Sequence, residues 1–193
     1  MKKILLVIIA ITSLLPLTGC GPIIGQVMRL SEGVKDFKVI HGNLNQIHVG
    51  SNLLVVGPFA KAPGAYYLSR GDDAAAFPEA IKKTGLFKTD LYIGPKFTNN
   101  DKVNALRHKS GIQISQELNL SQVPDYIMYG TILDRDTIVA PTRGLIMQVG
   151  YRLEFVNLEN KSSVVIEVAV KDHFRDCIAT VAEEIARQIR VSK

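Results

Sequence analysis

From Leu145 to Phe155 the chain alternates with period two. The odd positions are Leu145, Met147, Val149, Tyr151, Leu153 and Phe155, and the even ones include Gln148, Gly150, Arg152 and Glu154. Successive side chains of a strand point to opposite faces, so this segment is a strand with one buried face. Asn157 to Ser162 is polar and turn-like. Val164, Ile166, Val168 and Val170 then alternate with Val165, Glu167, Ala169 and Lys171. Two alternating strands around a short polar turn form an antiparallel hairpin. The rest of the chain has to cover the apolar face of that hairpin.

The covering elements are legible in turn. Phe174, Cys177, Ile178, Val181, Ile185 and Ile189 recur at helical spacing, giving an amphipathic helix from about His173. Upstream, Leu53-Leu54-Val55-Val56 is a continuous apolar run closed by Gly57-Pro58, as in a strand buried on both faces. Asp72 or Asp73 reads as the N-cap of a helix through about Thr84, with Pro78 in its first turns and Gly85 as the stop. Leu91-Tyr92-Ile93 is a short strand. Asn100 or Asp101 opens a second helical stretch that Gly111 interrupts, with a further turn or two over Ser115–Gln122. Tyr126 to Leu133 is a strand. The order is β-α-β-α-β-β-β-α, an α/β (α+β) chain with a mixed sheet and helices packed on it.

The amino terminus reads as a targeting segment. Lys2 and Lys3 precede an apolar run from Ile4 to Leu17, fourteen residues containing Thr12, Ser13 and Pro16. A membrane-spanning helix needs about 20 apolar residues, whereas runs of 10–14 are typical of signal-peptide cores. Leu17-Thr18-Gly19-Cys20 resembles a bacterial lipobox. That resemblance implies a signal peptide over 1–19, cleavage before Cys20 and acylation of Cys20, palmitate-type chains included. Two or more acyl chains hold a protein stably on a membrane. Gly21, in place of Asp, resembles outer-membrane sorting, with the domain facing the periplasm. Residues 20–48, broken by Gly25, Gly33 and Gly42, read as a tether, and 49–193 as one globular domain.

Cleavage leaves 174 of the 193 residues, enough for one domain with a core. Losing Lys2 and Lys3 lowers the formal charge from +5 to about +3, too mild a bias to argue for nucleic acid. Besides Cys20 the only cysteine is Cys177, on the apolar helix face, so no disulfide forms within the mature domain and the thiol reads as buried and inert.

The sequence carries few signs of catalytic chemistry. Nucleophile-elbow, zinc-protease, phosphate-loop and dinucleotide motifs are absent. His41, His48, His108 and His173 have no partner at ligand spacing, so neither metal nor cofactor is expected. Asp134-Arg135-Asp136 reads as a solvated turn, and Lys102, Arg107, His108 and Lys109 as a basic helix face. Two loops stand out as partner surfaces. Lys61–Gly71 carries Tyr66 and Tyr67, and aromatics are enriched at interface hot spots. Asp134–Gly144 carries Ile138, Val139, Pro141 and Arg143, and long ordered loops are often functional.

The layout resembles the TolB N-terminal-like domains, a group that includes CsgG-type curli-secretion lipoproteins and lipoprotein activators of penicillin-binding proteins. The matching stretches are NLLVVGPF (Asn52–Phe59), VPDYIMYGTILD (Val123–Asp134) and YRLEFVNLENKSSVVIEV (Tyr151–Val168). The turn Glu159-Asn160-Lys161 stands where the group has Thr-Gly-Glu, and Val165 or Ile166 where it has Trp. No catalytic residue comes with the resemblance. It implies a non-enzymatic lipoprotein that binds a protein partner of an envelope or secretion assembly. The alternatives are a ring- or pore-forming secretion subunit, for which a homo-oligomer is expected, and an envelope hydrolase with an unrecognised site. Charged Arg152, Glu154, Glu167 and Lys171 on the lipid-facing side argue against a membrane barrel.

Overall fold

The computed structural model describes residues 32–65, 73–94, 100–140 and 144–193. They form a unit running from Gly33 to Lys193. Its elements are β1 (Gly33–His41), β2 (Asn52–Gly57), β3 (Ala60–Lys61), α1 (Asp73–Lys83), β4 (Lys88–Ile93), α2 (Asn100–Arg107), α3 (Gly111–Leu118), β5 (Tyr126–Ala140), β6 (Gly144–Asn157), β7 (Ser163–His173) and α4 (Cys177–Val191). The sheet order is β1-β7-β6-β5-β2-β4, with β3 pairing beside β5. Pairing is parallel within β5-β2-β4 and antiparallel from β5 through β6 and β7 to β1. The mixed α/β sheet expected from the alternation is what forms.

The two halves are covered differently. On one face, Met147, Val149, Tyr151, Leu153 and Phe155 of β6 and Val164, Ile166, Val168 and Val170 of β7 are buried. They meet Phe77 and Ile81 of α1 and Cys177, Val181, Ile185 and Ile189 of α4, whose spacing makes one apolar stripe per helix. A second, smaller core lies on the opposite face of the parallel half. There Leu54, Val56, Ile127 and Val156 pack with Leu106 of α2 and Ile114 of α3. Leu53 and Val55 face the first core, so the unbroken run in β2 is explained by burial on both sides. The opposite face of β6 and β7 carries polar pairs instead, with Arg152 donating to Glu167 at 2.6 and 2.8 Å.

Several expectations are corrected. The stretch read as tether contains β1 and the buried residues Leu44 and Ile47, so the folded unit begins at Gly33. Asp134–Ala140 is not loop but the second half of β5, paired to β6 as far as Ala140 opposite Gly144. The helical turns placed at Ser115–Gln122 begin earlier, at Gly111. Ser110 caps them, its side chain accepting from Gln113 N–H while the Gln113 side chain accepts from Ser110 N–H. The terminal helix starts at Cys177 rather than His173.

Gly130 has a steric reason. It lies on the inward face of β5 opposite Leu153, and a Cβ there would sit 2.8 Å from the Phe59 ring. Phe59 in turn leans on Phe77 at 5.3 Å, and Phe77 meets Tyr151 edge-on at 5.5 Å.

Candidate functional site

The residues singled out by sequence as lipid or partner sites, Cys20, Tyr66, Tyr67 and Arg143, lie outside the described residues. The described surface offers three other features.

The first is a buried ionic cluster where α1 begins. β5 carries a register slip between Ile132 and Asp134. Ile132 lies opposite Tyr151, and after the slip Arg135 lies opposite Val149, an inward position of β6. A bulge of this kind re-aims a side chain. Arg135 therefore points into the core, its side chain only 3% exposed, and pairs with Asp73. Tyr151 Oη donates to Asp73 Oδ2 at 2.6 Å. Burial drives the Tyr151 phenol well above the usual tyrosine range, reinforced by the Asp73 charge. The solvated turn expected at Asp134–Asp136 is thus overturned, and the Asp73 carboxylate holds Tyr151 and Arg135.

The second is a concavity of about 400 Å³ at the other end of the sheet, where β2 and β5 begin. His48, Ser51, Ser110, Asp125, Tyr126 and Glu159 contribute to its wall. Tyr126 Oη donates to the Gln46 carbonyl at 2.8 Å and accepts from Asn157 Nδ2 at 3.3 Å. The His48 backbone N–H also donates to this oxygen at 3.3 Å, and His48 Nδ1 lies 3.1 Å from it. These groups satisfy one another and close the end of the core.

The third is the apolar periphery. β4 forms one end of the sheet, with Leu91 and Ile93 exposed. β1 forms the other, but it is blunted by two register irregularities and by Asp36 and Lys38. At the β5–β6 end, Ile138 is 37% exposed, Val139 75%, Leu145 39% and Phe174 49%. Leu145, expected inward from the alternation, is exposed because it lies beyond the cover of α4.

The other sequence candidates take structural roles. Arg107 pairs with Glu154 and lies 5.5 Å over the Tyr129 ring, and Lys109 pairs with Glu117, so the basic cluster is partly neutralised. Cys177 is fully buried. Burial pushes its thiol up to about 12, and the nearby Met147 and Asp172 carbonyls accept from it at 3.5 Å. That is the inert thiol expected. Among the described residues no three His, Cys, Asp or Glu side chains converge to hold a metal ion. Nor is any described helix long and apolar enough to cross a membrane.

No family model matches the chain, and no curated protein matches it. Among solved structures, a variant PelC dodecamer from Paraburkholderia phytofirmans is 15% identical over 80% of this chain and 94% of that one, with a TM-score of 0.47. Lipoprotein GNA1162 from Neisseria meningitidis is 12% identical over 73% and 99%, with a TM-score of 0.40. A Xanthomonas campestris protein of the DUF330 family is 10% identical over 75% and 81%, with a TM-score of 0.32. At these identities and scores the likeness transfers no activity, partner or assembly state.

Proposed function

We propose that this is an outer-membrane lipoprotein, anchored through Cys20, whose periplasmic domain binds a protein partner of an envelope assembly. The lipobox Leu17–Cys20 supports the anchor. The observation that carries the binding reading is the β4 edge. Its register with β2 runs unbroken from Asn52–Lys88 to Gly57–Ile93, and among the described residues no strand pairs with its other side. It lacks the irregularities of β1, and Leu91 and Ile93 share one exposed face. An extended segment of a partner would add there as a further strand, with main-chain bonds giving affinity and the two side chains giving register. The TolB-like resemblance belongs with this reading and adds no catalytic group to it.

The test is crosslinking in intact cells. A photoreactive residue at Leu91 is expected to capture one discrete envelope protein that a photoreactive residue at exposed Gln148 does not. The double variant Leu91→Lys, Ile93→Lys is expected to stay anchored and folded yet fail to complement a gene deletion. Full complementation by that variant would refute the edge as the partner site.

A further inference from the structure

We propose that the concavity at the start of β2 and β5 is a binding site for a small organic cation, an alkylammonium or guanidinium group on a short apolar stem. All of its lining residues are among the described ones. Its volume, about 400 Å³, falls within the range of about 300–1,000 Å³ typical of small-molecule sites.

The wall has a buried part and an exposed rim. Tyr126, Asn157 and Leu158 are buried, and the Tyr126 hydroxyl is bonded to Asn157 and to the Gln46 carbonyl. The rim is mixed. Ile112, 60% exposed, and Val123, 45% exposed, are large apolar side chains bordering the hollow. Asp125 and Glu159 are the two acids of the same wall, both exposed. The backbone brings them together: Leu158 N–H donates to the Asp125 carbonyl at 2.9 Å, and Glu159 follows directly, its N–H donating to Asn157 Oδ1 at 2.8 Å.

This pair of carboxylates has no resident cation. Among the described residues no lysine or arginine lines the hollow, and neither acid has an ion-pair partner. Asp125 Oδ2 accepts from the Asn52 backbone N–H at 2.8 Å. Glu154, Glu167 and Glu184, by contrast, are each matched by an arginine. The cations nearest in the chain are committed elsewhere. Lys109, which precedes Ser110 of the wall, pairs with Glu117, and Lys161, two residues after Glu159, donates to the Lys109 carbonyl at 2.6 Å. Lys88 N–H donates to the Ser51 carbonyl at 3.0 Å, but Lys88 is not part of the wall. A cleft lined by one sign of charge concentrates the opposite ion.

Other ligand classes fit less well. α3 begins at this wall, and a helix N-terminus favours negative charge. Here Ser110 and Gln113 already cap it, and Asp125 and Glu159 repel an anion. For a metal ion, no three His, Cys, Asp or Glu side chains converge among the described residues. A cationic head beside the carboxylates, with its stem across Ile112 and Val123, uses both kinds of rim. A free amine and the side chain of a lysine or arginine in a peptide share this chemistry.

The test follows amide chemical shifts of the isotope-labelled full-length protein in detergent micelles. The probes are n-butylamine and Nα-acetyl-lysine methylamide, with butyrate and 1-butanol as anionic and neutral matches. Saturable shifts at Ser51, Ile112, Asp125 and Glu159 are expected with a cationic probe, absent with butyrate and weaker with 1-butanol. Binding of n-butylamine alone assigns a free amine, and binding of the lysine derivative assigns a peptide side chain. Asp125→Asn and Glu159→Gln, with unchanged Tm, are each expected to weaken binding about two- to fivefold, as for an exposed ion pair. Glu183→Gln, exposed on α4, is expected to leave it unchanged. No saturable shift with either cation overturns the proposal. So does butyrate or 1-butanol binding as tightly as n-butylamine, or unchanged affinity in both carboxylate variants.

Discussion

The Tyr151 hydroxyl is the most informative single group to remove. It lies in a fully buried side chain and donates to Asp73 Oδ2 at 2.6 Å, beside the Arg135 guanidinium. Tyr151→Phe keeps the ring in its edge-on contact with Phe77, so it opens almost no cavity. What is lost is a hydrogen bond to a charged group, which contributes about 1.5–3 kcal/mol. The expected destabilisation is about 2 kcal/mol, or about 4–8 °C in Tm for a domain of this size. Arg152→Ala is the matched control, since it breaks an ion pair in which the arginine is half exposed, for a cost of about 0–1 kcal/mol. Urea unfolding followed by circular dichroism, with unchanged m-values, measures both. A Tyr151→Phe cost no larger than that of Arg152→Ala would refute the buried cluster as a stabilising element.

Gly130→Ala is expected to cost about 1–3 kcal/mol, because its methyl overlaps the Phe59 ring, and Phe59→Leu should recover part of that loss in the same urea assay. Leu153→Asp places a charge in the first core and should abolish the cooperative unfolding transition, while Gln148→Asp on the exposed face should cost under about 1 kcal/mol; equal melting of the two would refute the register of β6. Stability should also fall at alkaline pH. The Cys177 thiol is raised from an ordinary 9.0 to about 12, so above pH 9 the unfolded chain releases its proton first and unfolding is favoured until the folded thiol also ionises. Cys177→Ala should flatten the decline between pH 9 and 12, leaving the part due to the raised Tyr151 phenol.

The hairpin, the helix from Cys177 and the doubly buried run of β2 were legible because each is written in its own periodicity. Arg135 was not. Period two counted from Tyr126 puts Tyr126, Met128, Gly130 and Ile132 inward and would turn Arg135 to solvent. The bulge before Asp134 shifts the phase by one residue, and every later side chain of β5 changes face. A clue lay in the neighbouring strand. Tyr151 sits inward in an otherwise apolar row and needs a polar partner for its hydroxyl. β1 is not legible in the sequence for a different reason. It is an edge strand with Phe37 as its one large part-buried aromatic among exposed neighbours, so it lacks the alternation that marks a half-buried strand. Asp134 and Asp136 favour a turn locally, which makes the β5–β6 connection read as eleven residues in the sequence. Cross-strand pairing with β6 overrode that local preference.

The division of labour within the sheet follows from which strands are covered. Within the parallel half, β2 and the start of β5 have cores on both faces. The antiparallel half is packed by α4 on one face, while its other face carries paired charges such as Arg152–Glu167. Paired charges on that face make it a poor lipid surface, which disfavours a barrel built from β6 and β7. Exposed large apolar side chains occur at the β4 edge and the β5–β6 end, and also at Val39, Ile40, Val49, Ile112, Val123 and Val191. The Asp73–Arg135–Tyr151 cluster fixes β5 and β6 to the start of α1. On the proposed reading, an anchor at Cys20 would confine the β4 edge to a layer near the membrane and raise its effective concentration towards any partner held in the same layer. Lengthening the segment between Cys20 and Gly33 should then weaken partner capture at Leu91 without altering the edge itself. Shortening it should leave capture intact until the segment can no longer span the gap from the bilayer to Gly33.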